Sequence, residues 1–198
     1  LMNENYTHPG MPHGAEEGIR KGMYLFRRGL SGQHSAQLLG SGAILREVIA
    51  AAEILERDYS VSATVWSATS FTELQRDGLD AERHNRLNPE AGQRVPWVAK
   101  CLEGHKGPVL AASDSVRAFA EQIRPYLPQE DYVVLGTDGY GRSDTRVQLR
   151  IYFEVDRNNI VYATLHTLRK QGVLSVDDLL KARTRLGLDP DKPNPSKS

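Results

Sequence analysis

The stretch LLGSGAILREVIAAAEIL, residues 38–55, decides the fold class. It opens inside an apolar run, AQLLGSG (36–42), that reads as a buried strand ending in glycines. The residues after it recur at helical spacing: Ile44, Val48, Ala51, Ala52 and Leu55 share one face, with Arg46, Glu53 and Arg57 among the remaining positions. The next segment, VSATVWSAT at 61–69, reads as a second strand, because β-branched side chains pack well on a pleated surface. Strand, helix, strand in this order is a crossover unit.

Outward from there the alternation continues. Ser70 and Glu73 have the spacing of a capping box, so a helix is expected from Ser70 to a stop near Asn88–Pro89. PVLAASD (108–114) reads as a strand, and Val116, Phe119, Ala120 and Ile123 as a helical stripe ending near Pro125. DYVVLG (131–136) is the last clear strand, followed by a loop and a short helix carrying Val147, Leu149, Ile151 and Phe153. Two more helices are expected, one over about 159–171 and one from Ser175 to before Gly187, with Asp178 placed for a second capping box. Upstream, GMYLFRRG (22–29) is a strand candidate and GLSGQHS (29–35) a flexible turn. Repeated crossovers require a mostly parallel sheet covered by helices on both faces. Residues 1–20, rich in Gly, Pro and His, read as a linker or arm, 21–188 as the α/β domain, and 189–198 as a polar tail.

Composition narrows the function classes. Hydrophobic residues at 39% suit a globular core and are too many for a disordered chain. Twenty-five basic residues balance twenty-five acidic ones, so no global field recruits nucleic acid or an anionic membrane, and neither partner is expected. No apolar run reaches spanning length. Cys101 is the single cysteine, which excludes an internal disulfide and suits a reducing cytosol.

Most candidate motifs reduce to simpler readings. Gly40 and Gly42 between a strand and a helix invite a dinucleotide site, but Leu45 stands where the third glycine belongs. No acidic residue closes the strand ending at Ala68 to hold a ribose, so a tight strand-to-helix turn is preferred. His8 and His13 have no carboxylate or thiolate set nearby for a metal, and Cys101 reads as a small half-buried side chain. Asp114 after Ser113, Asp144 after Ser143, and Asn158–Asn159 read as helix-start residues. No catalytic, cofactor-binding or metal-ligating residue is expected on this chain. GTDGYGRSDT, 136–145, stands out because it leaves the carboxyl end of a strand, where α/β folds place functional contacts. Asp138, Gly139, Tyr140, Arg142, Ser143 and Asp144 are therefore the candidate interface residues, with a glycine turn and helix cap as the simpler reading.

These strings resemble a known family. LMNENY, PHGAEEGIRKG (12–22), LLGSGAILREV, AAEIL, SATSFTELQRDG (67–78), LGTDGYGRSDTR, FEVD (153–156) and DPDKPNP look like the C-terminal end of the homodimeric bacterial pyruvate dehydrogenase decarboxylating component. LLGSG and GTDGYG are shared more loosely with transketolases. The resemblance implies a transketolase C-terminal fold: three layers, α/β/α, with a mostly parallel five-stranded sheet and one antiparallel strand, for which GMYLFRR is the candidate. It implies that LMNENY ends a preceding pyrimidine-binding domain. It also implies a parent enzyme in the bacterial cytoplasm that decarboxylates pyruvate on thiamine diphosphate and magnesium and acetylates the lipoyl group of an acyltransferase core. The implied partners of this domain are the preceding domains of its own chain and a homodimer partner. The family's diphosphate and magnesium pattern, Gly-Asp-Gly followed by Asn, fails here, because Thr137 takes the first glycine position and Asn158 follows too soon. The cofactor is therefore expected on another part of the parent. The alternative is a stand-alone α/β interaction or nucleotide-binding module without catalysis.

Overall fold

The structure, a computed structural model, describes residues 9–197. LMNENY and His8 lie outside the described residues. In chain order the elements are α1 (Glu16–Arg20), β1 (Met23–Arg27), β2 (His34–Gly40), α2 (Leu45–Tyr59), β3 (Val61–Ala68), α3 (Phe71–Leu87), α4 (Trp97–Leu102), β4 (Val109–Ala112), α5 (Arg117–Glu121), β5 (Tyr132–Leu135), α6 (Arg146–Tyr152), α7 (Arg157–Lys170) and α8 (Val176–Arg185). The sheet runs β1-β3-β2-β4-β5; every neighbouring pair is parallel except β1 with β3, so GMYLFRR does supply the antiparallel strand.

Period-two alternation sorts the strand side chains into two cores. Leu38, Val65 and Leu110 face α2, α7 and α8, whereas Leu39, Trp66 and Ala111 face the cluster built by α3, α4 and α5. The three layers follow from this double-sided burial. The buried Gln37 and Trp66 side chains match each other's polar groups: Trp66 Nε1 donates to Gln37 Oε1 at 3.0 Å, and Gln37 Nε2 donates to the Lys106 carbonyl at 2.9 Å.

Several helix starts correct the expectations above. Ser70 does cap α3 by accepting from the Glu73 amide, but the reciprocal half of the box is missing; the Ser70 amide donates to the Gly22 carbonyl, and the Glu73 carboxylate takes Arg76. The cap of α7 is Asp156, not Asn158–Asn159; its carboxylate accepts from both asparagine amides. Thr145, rather than Ser143 or Asp144, caps α6. Asp114 does not cap α5, which begins three residues later at Arg117 with no side-chain cap at Val116. The Ser175–Asp178 box is complete. At α6 and α7 a neighbour one to three residues away had the better approach to the free amides, a choice set by backbone angles that composition does not carry.

One buried charge ties the first crossover to the C-terminal helices. Glu47, in the first turn of α2, receives Arg150 Nη1 at 2.8 Å and Arg157 Nε at 2.9 Å, with the Arg157 amide at 3.2 Å. Burial pushes its carboxyl upward, but the Arg157 hydrogen bonds with the Arg157 and Arg150 charges outweigh this and hold it below its ordinary value. A depressed folded-state value stabilises the fold above the unfolded value of 4.5, and that contribution is lost as pH falls through the folded value. Glu47→Ala leaves Arg150, only 14% exposed, without a carboxylate. We predict a loss of about 3 kcal/mol in urea unfolding at neutral pH, the scale for breaking a buried pair, and a shallower acid limb below pH of about 4.5. An unchanged midpoint together with an unchanged acid limb would show that the network does not hold these helices.

Candidate functional site

At the carboxyl end of the sheet, the chain leaves β2 for α2 on one face and leaves β4 for α5 on the other. The crevice between them is the switch point at which open α/β sheets accept ligands and contacts. Four segments line it: the turn after β2, the turn after β4, the loop 136–145 after β5, and α6 with the residues just beyond it.

The β2 turn is shaped by crowding. A Cβ on Gly40 would stand 2.8 Å from the Leu45 Cα and 3.1 Å from a Val48 methyl, so only glycine lets α2 start this close to the strand. Packing therefore accounts for this glycine without a nucleotide. After β4, the Asp114 carbonyl accepts from Thr137 Oγ1 at 2.8 Å, and the Ser115 carbonyl accepts from the Thr137 amide at 3.0 Å. These bonds pin the start of the long loop.

The predicted loop residues divide by what they touch. Asp138 Oδ2 accepts from Arg117 Nε at 2.6 Å, an ion pair across the two turns, 21 residues apart in sequence. Gly139 sits at φ +110, and a Cβ there would stand 2.3 Å from the Pro195 carbonyl oxygen, so the loop is seated on the C-terminal segment. Tyr140 projects outward, 84% exposed. The Arg142 guanidinium lies 4.1 Å from the centre of the Tyr152 ring, a cation–π contact, and Tyr152 meets Phe153 edge-on at 4.9 Å. Ser143 is exposed, and Asp144 Oδ1 accepts from the Thr145 amide at 2.6 Å. Sequence reasoning missed Arg117, Tyr152, Lys192 and Pro195. Lys192 Nζ donates to the carbonyls of Ile151 and Tyr152 at 2.8 and 2.7 Å, the exposed acceptors at the end of α6, and pairs with Glu154 at 3.2 Å. Within the segment read from composition as a polar tail, residues 189–197 thus dock on α6, with Pro195 buried. No pattern in DPDKPNPSKS distinguishes such a strap from a loose end.

Between these turns lies a cleft of about 390 Å³, with Ile44, Leu149, Phe153 and Val155 as its apolar lining. Arg142, Arg146 and Arg150 contribute three guanidiniums to it against one carboxylate, Asp114. Thiamine diphosphate with magnesium does not fit the residues at hand. Asp138 is already paired with Arg117; Asn158 Nδ2 donates to the Leu186 carbonyl and Asn159 Nδ2 to Asp156. Among the described residues no three His, Cys, Asp or Glu side chains converge as a metal set. Cys101 is half-buried, and burial pushes its thiol up to about 11, so it is a neutral thiol at physiological pH rather than a nucleophile.

Comparison with known proteins agrees with this architecture. The family model for the transketolase-like TK C-terminal domain matches residues 22–156. Along 98% of its length the chain is 53% identical to the pyruvate dehydrogenase E1 component of Cupriavidus necator and 50% identical to that of Escherichia coli, spanning 22% of each. The chain therefore covers less than a quarter of the length of the relatives it matches. Among solved structures, transketolase from Leishmania mexicana superposes with a TM-score of 0.52 at 18% identity, over 78% of this chain and 19% of that one. The five-stranded mixed sheet, its crossovers and the matched span place this chain in the transketolase-like C-terminal domain family.

Proposed function

We propose that this chain is the C-terminal domain of a pyruvate dehydrogenase decarboxylating component and serves it as a structural and dimerisation domain. In this reading the parent enzyme, in the bacterial cytoplasm, decarboxylates pyruvate on thiamine diphosphate and magnesium and passes the acetyl group to the lipoyl arm of an acyltransferase core. The observation that carries the reading is coverage: 98% of this chain aligns at half identity or better to only 22% of E1 relatives, which leaves the chemistry to the rest of the parent. The absence of a fit between the described side chains and a diphosphate–magnesium group supports the same division of labour.

The loop 136–145 is the contact we assign to the neighbouring domain or subunit. Asp138 and Gly139 hold its shape from within the chain, while Tyr140, Ser143 and Asp144 stand exposed at its outer surface and Arg142, also exposed, turns toward Tyr152. An outward tyrosine at a braced loop is the kind of side chain that anchors interfaces, since its ring loses little conformational entropy on burial. On α6, Val147 and Ile151 are also exposed, and the helix has no fully buried residue. This apolar surface is continuous in sequence with the loop and is available for the same contact.

Two measurements test the reading. Calorimetric titration of the 198-residue chain with thiamine diphosphate and magnesium is predicted to show no binding tighter than about 10 μM, a free energy near −7 kcal/mol; sub-micromolar binding would move the cofactor site onto this domain. In the full-length parent, Tyr140→Asp is predicted to weaken the dimer by about tenfold or more, or roughly 1.4 kcal/mol, in sedimentation across a concentration series. Wild-type dimer affinity and overall activity in that variant would reduce the loop to a turn and cap.

A further inference from the structure

The cleft at the switch point has a chemistry that the docking role of the outer loop surface leaves unused. Its lining combines a hydrocarbon base with cationic walls. Ile44, Leu149, Phe153 and Val155 supply the base, and the guanidiniums outnumber Asp114 three to one. Arg150 is engaged by Glu47, and Arg146 has contacts of its own. Arg142 differs. Its guanidinium carbon lies 4.1 Å from the centre of the Tyr152 ring, and among the described residues it makes no ion pair or side-chain hydrogen bond. Its in-plane N–H fork remains available for a planar or tetrahedral oxyanion.

The backbone adds donors beside it. None of the amides from 138 to 144 donates to another group among the described residues, although both flanking positions do: Thr137 to Ser115 and Thr145 to Asp144. A run of unused amides next to a guanidinium is an anion-accepting surface. The volume, about 390 Å³, is within the range of small-molecule sites, and such sites join an apolar lining to a few convergent polar groups.

We propose that this cleft binds a small organic oxyanion, a carboxylate or phosphate head on a compact apolar body, with the Arg142 guanidinium and the Gly139, Gly141 and Arg142 amides receiving the head and Leu149 and Phe153 the body. Asp114 sets the selectivity: it opposes inorganic anions of high charge that have no apolar group to offset the repulsion. The proposal concerns the inner side of the loop and stands independently of whether Tyr140 anchors a neighbour.

The experiment is calorimetric titration of the full-length parent, and of the 198-residue chain in parallel, with four probes: hexanoate, hexyl phosphate, inorganic phosphate and hexanol. At least one of the two headed probes should bind about tenfold or more tighter than both controls, and the preferred head distinguishes a carboxylate from a phosphate site. Arg142→Ala should weaken that binding about tenfold, and Arg142→Lys less, because the charge survives but the planar fork does not. Hydrogen exchange of the Gly139, Gly141 and Arg142 amides in the unsubstituted protein should slow when the headed probe binds, a readout that needs no variant to fold. Four outcomes would overturn the proposal: no binding to the parent by about 10 mM; hexanol binding as well as the headed probes; affinity indifferent to Arg142→Ala; or binding by the short chain but not by the parent, which would mean that the parent's own residues fill the cleft. None of these outcomes is the loss of dimer affinity by which the Tyr140→Asp variant judges the docking role.

Discussion

A single buried carboxylate joins segments more than a hundred positions apart, and the geometry of the carboxyl-end surface depends on it. Glu47 is positioned by the turn before it, since Gly40 lets α2 start hard against the end of β2. From there the carboxylate fixes Arg150 on α6 and Arg157 at the start of α7. The helix dipole at the start of α2 favours the same negative charge. Once α6 is held, Tyr152 at its end is held, and the ring presents one contact to Arg142 in the loop and another to Lys192 in the C-terminal segment at 5.7 Å. The order of causation runs from a glycine turn to a carboxylate, to a short helix, and then to the loop.

The short helix is weak by itself. α6 spans seven residues and buries none of them fully, below the length at which an isolated helix is stable in water. It persists because its ends are occupied: Thr145 accepts the Gln148 amide at one, and Lys192 covers two carbonyls at the other. Glu154, just beyond it, adopts a left-handed conformation at φ 60 and pairs with the same lysine. Strain at one residue is held in place by a charge from the far end of the chain.

The strands and long helices were legible because burial on two faces writes a period into the sequence. The residues 36–55 and 61–69 carry that period plainly, and their elements match. Short elements carry too few repeats: α4 has six residues behind Pro96, and α1 only five. The caps were misplaced by one to three positions wherever several Asp, Asn, Ser or Thr residues stood together, as in RSDT and VDRNN. The loop was legible as a place but not as a set of contacts. Arg117 and Pro195, which fix Asp138 and Gly139, are brought there only by the topology of the sheet and the path of the last residues. The matched family span ends at residue 156, before α7, so the family pattern does not cover that last stretch.

The same path has a consequence for synthesis. One face of the central strands, carrying Leu38, Val65 and Leu110, packs on α2 from the middle of the chain, but also on Ile160, Leu165 and Leu168 of α7 with Leu179 of α8 behind them. A ribosome delivers residues from the N-terminal side at a limited rate, while apolar surface exposed in the interval is open to misassociation. The opposite face, closed by α3, α4 and α5, can be completed much earlier. The nascent domain therefore matures one side at a time, and its second side stays wet until the two final helices have emerged.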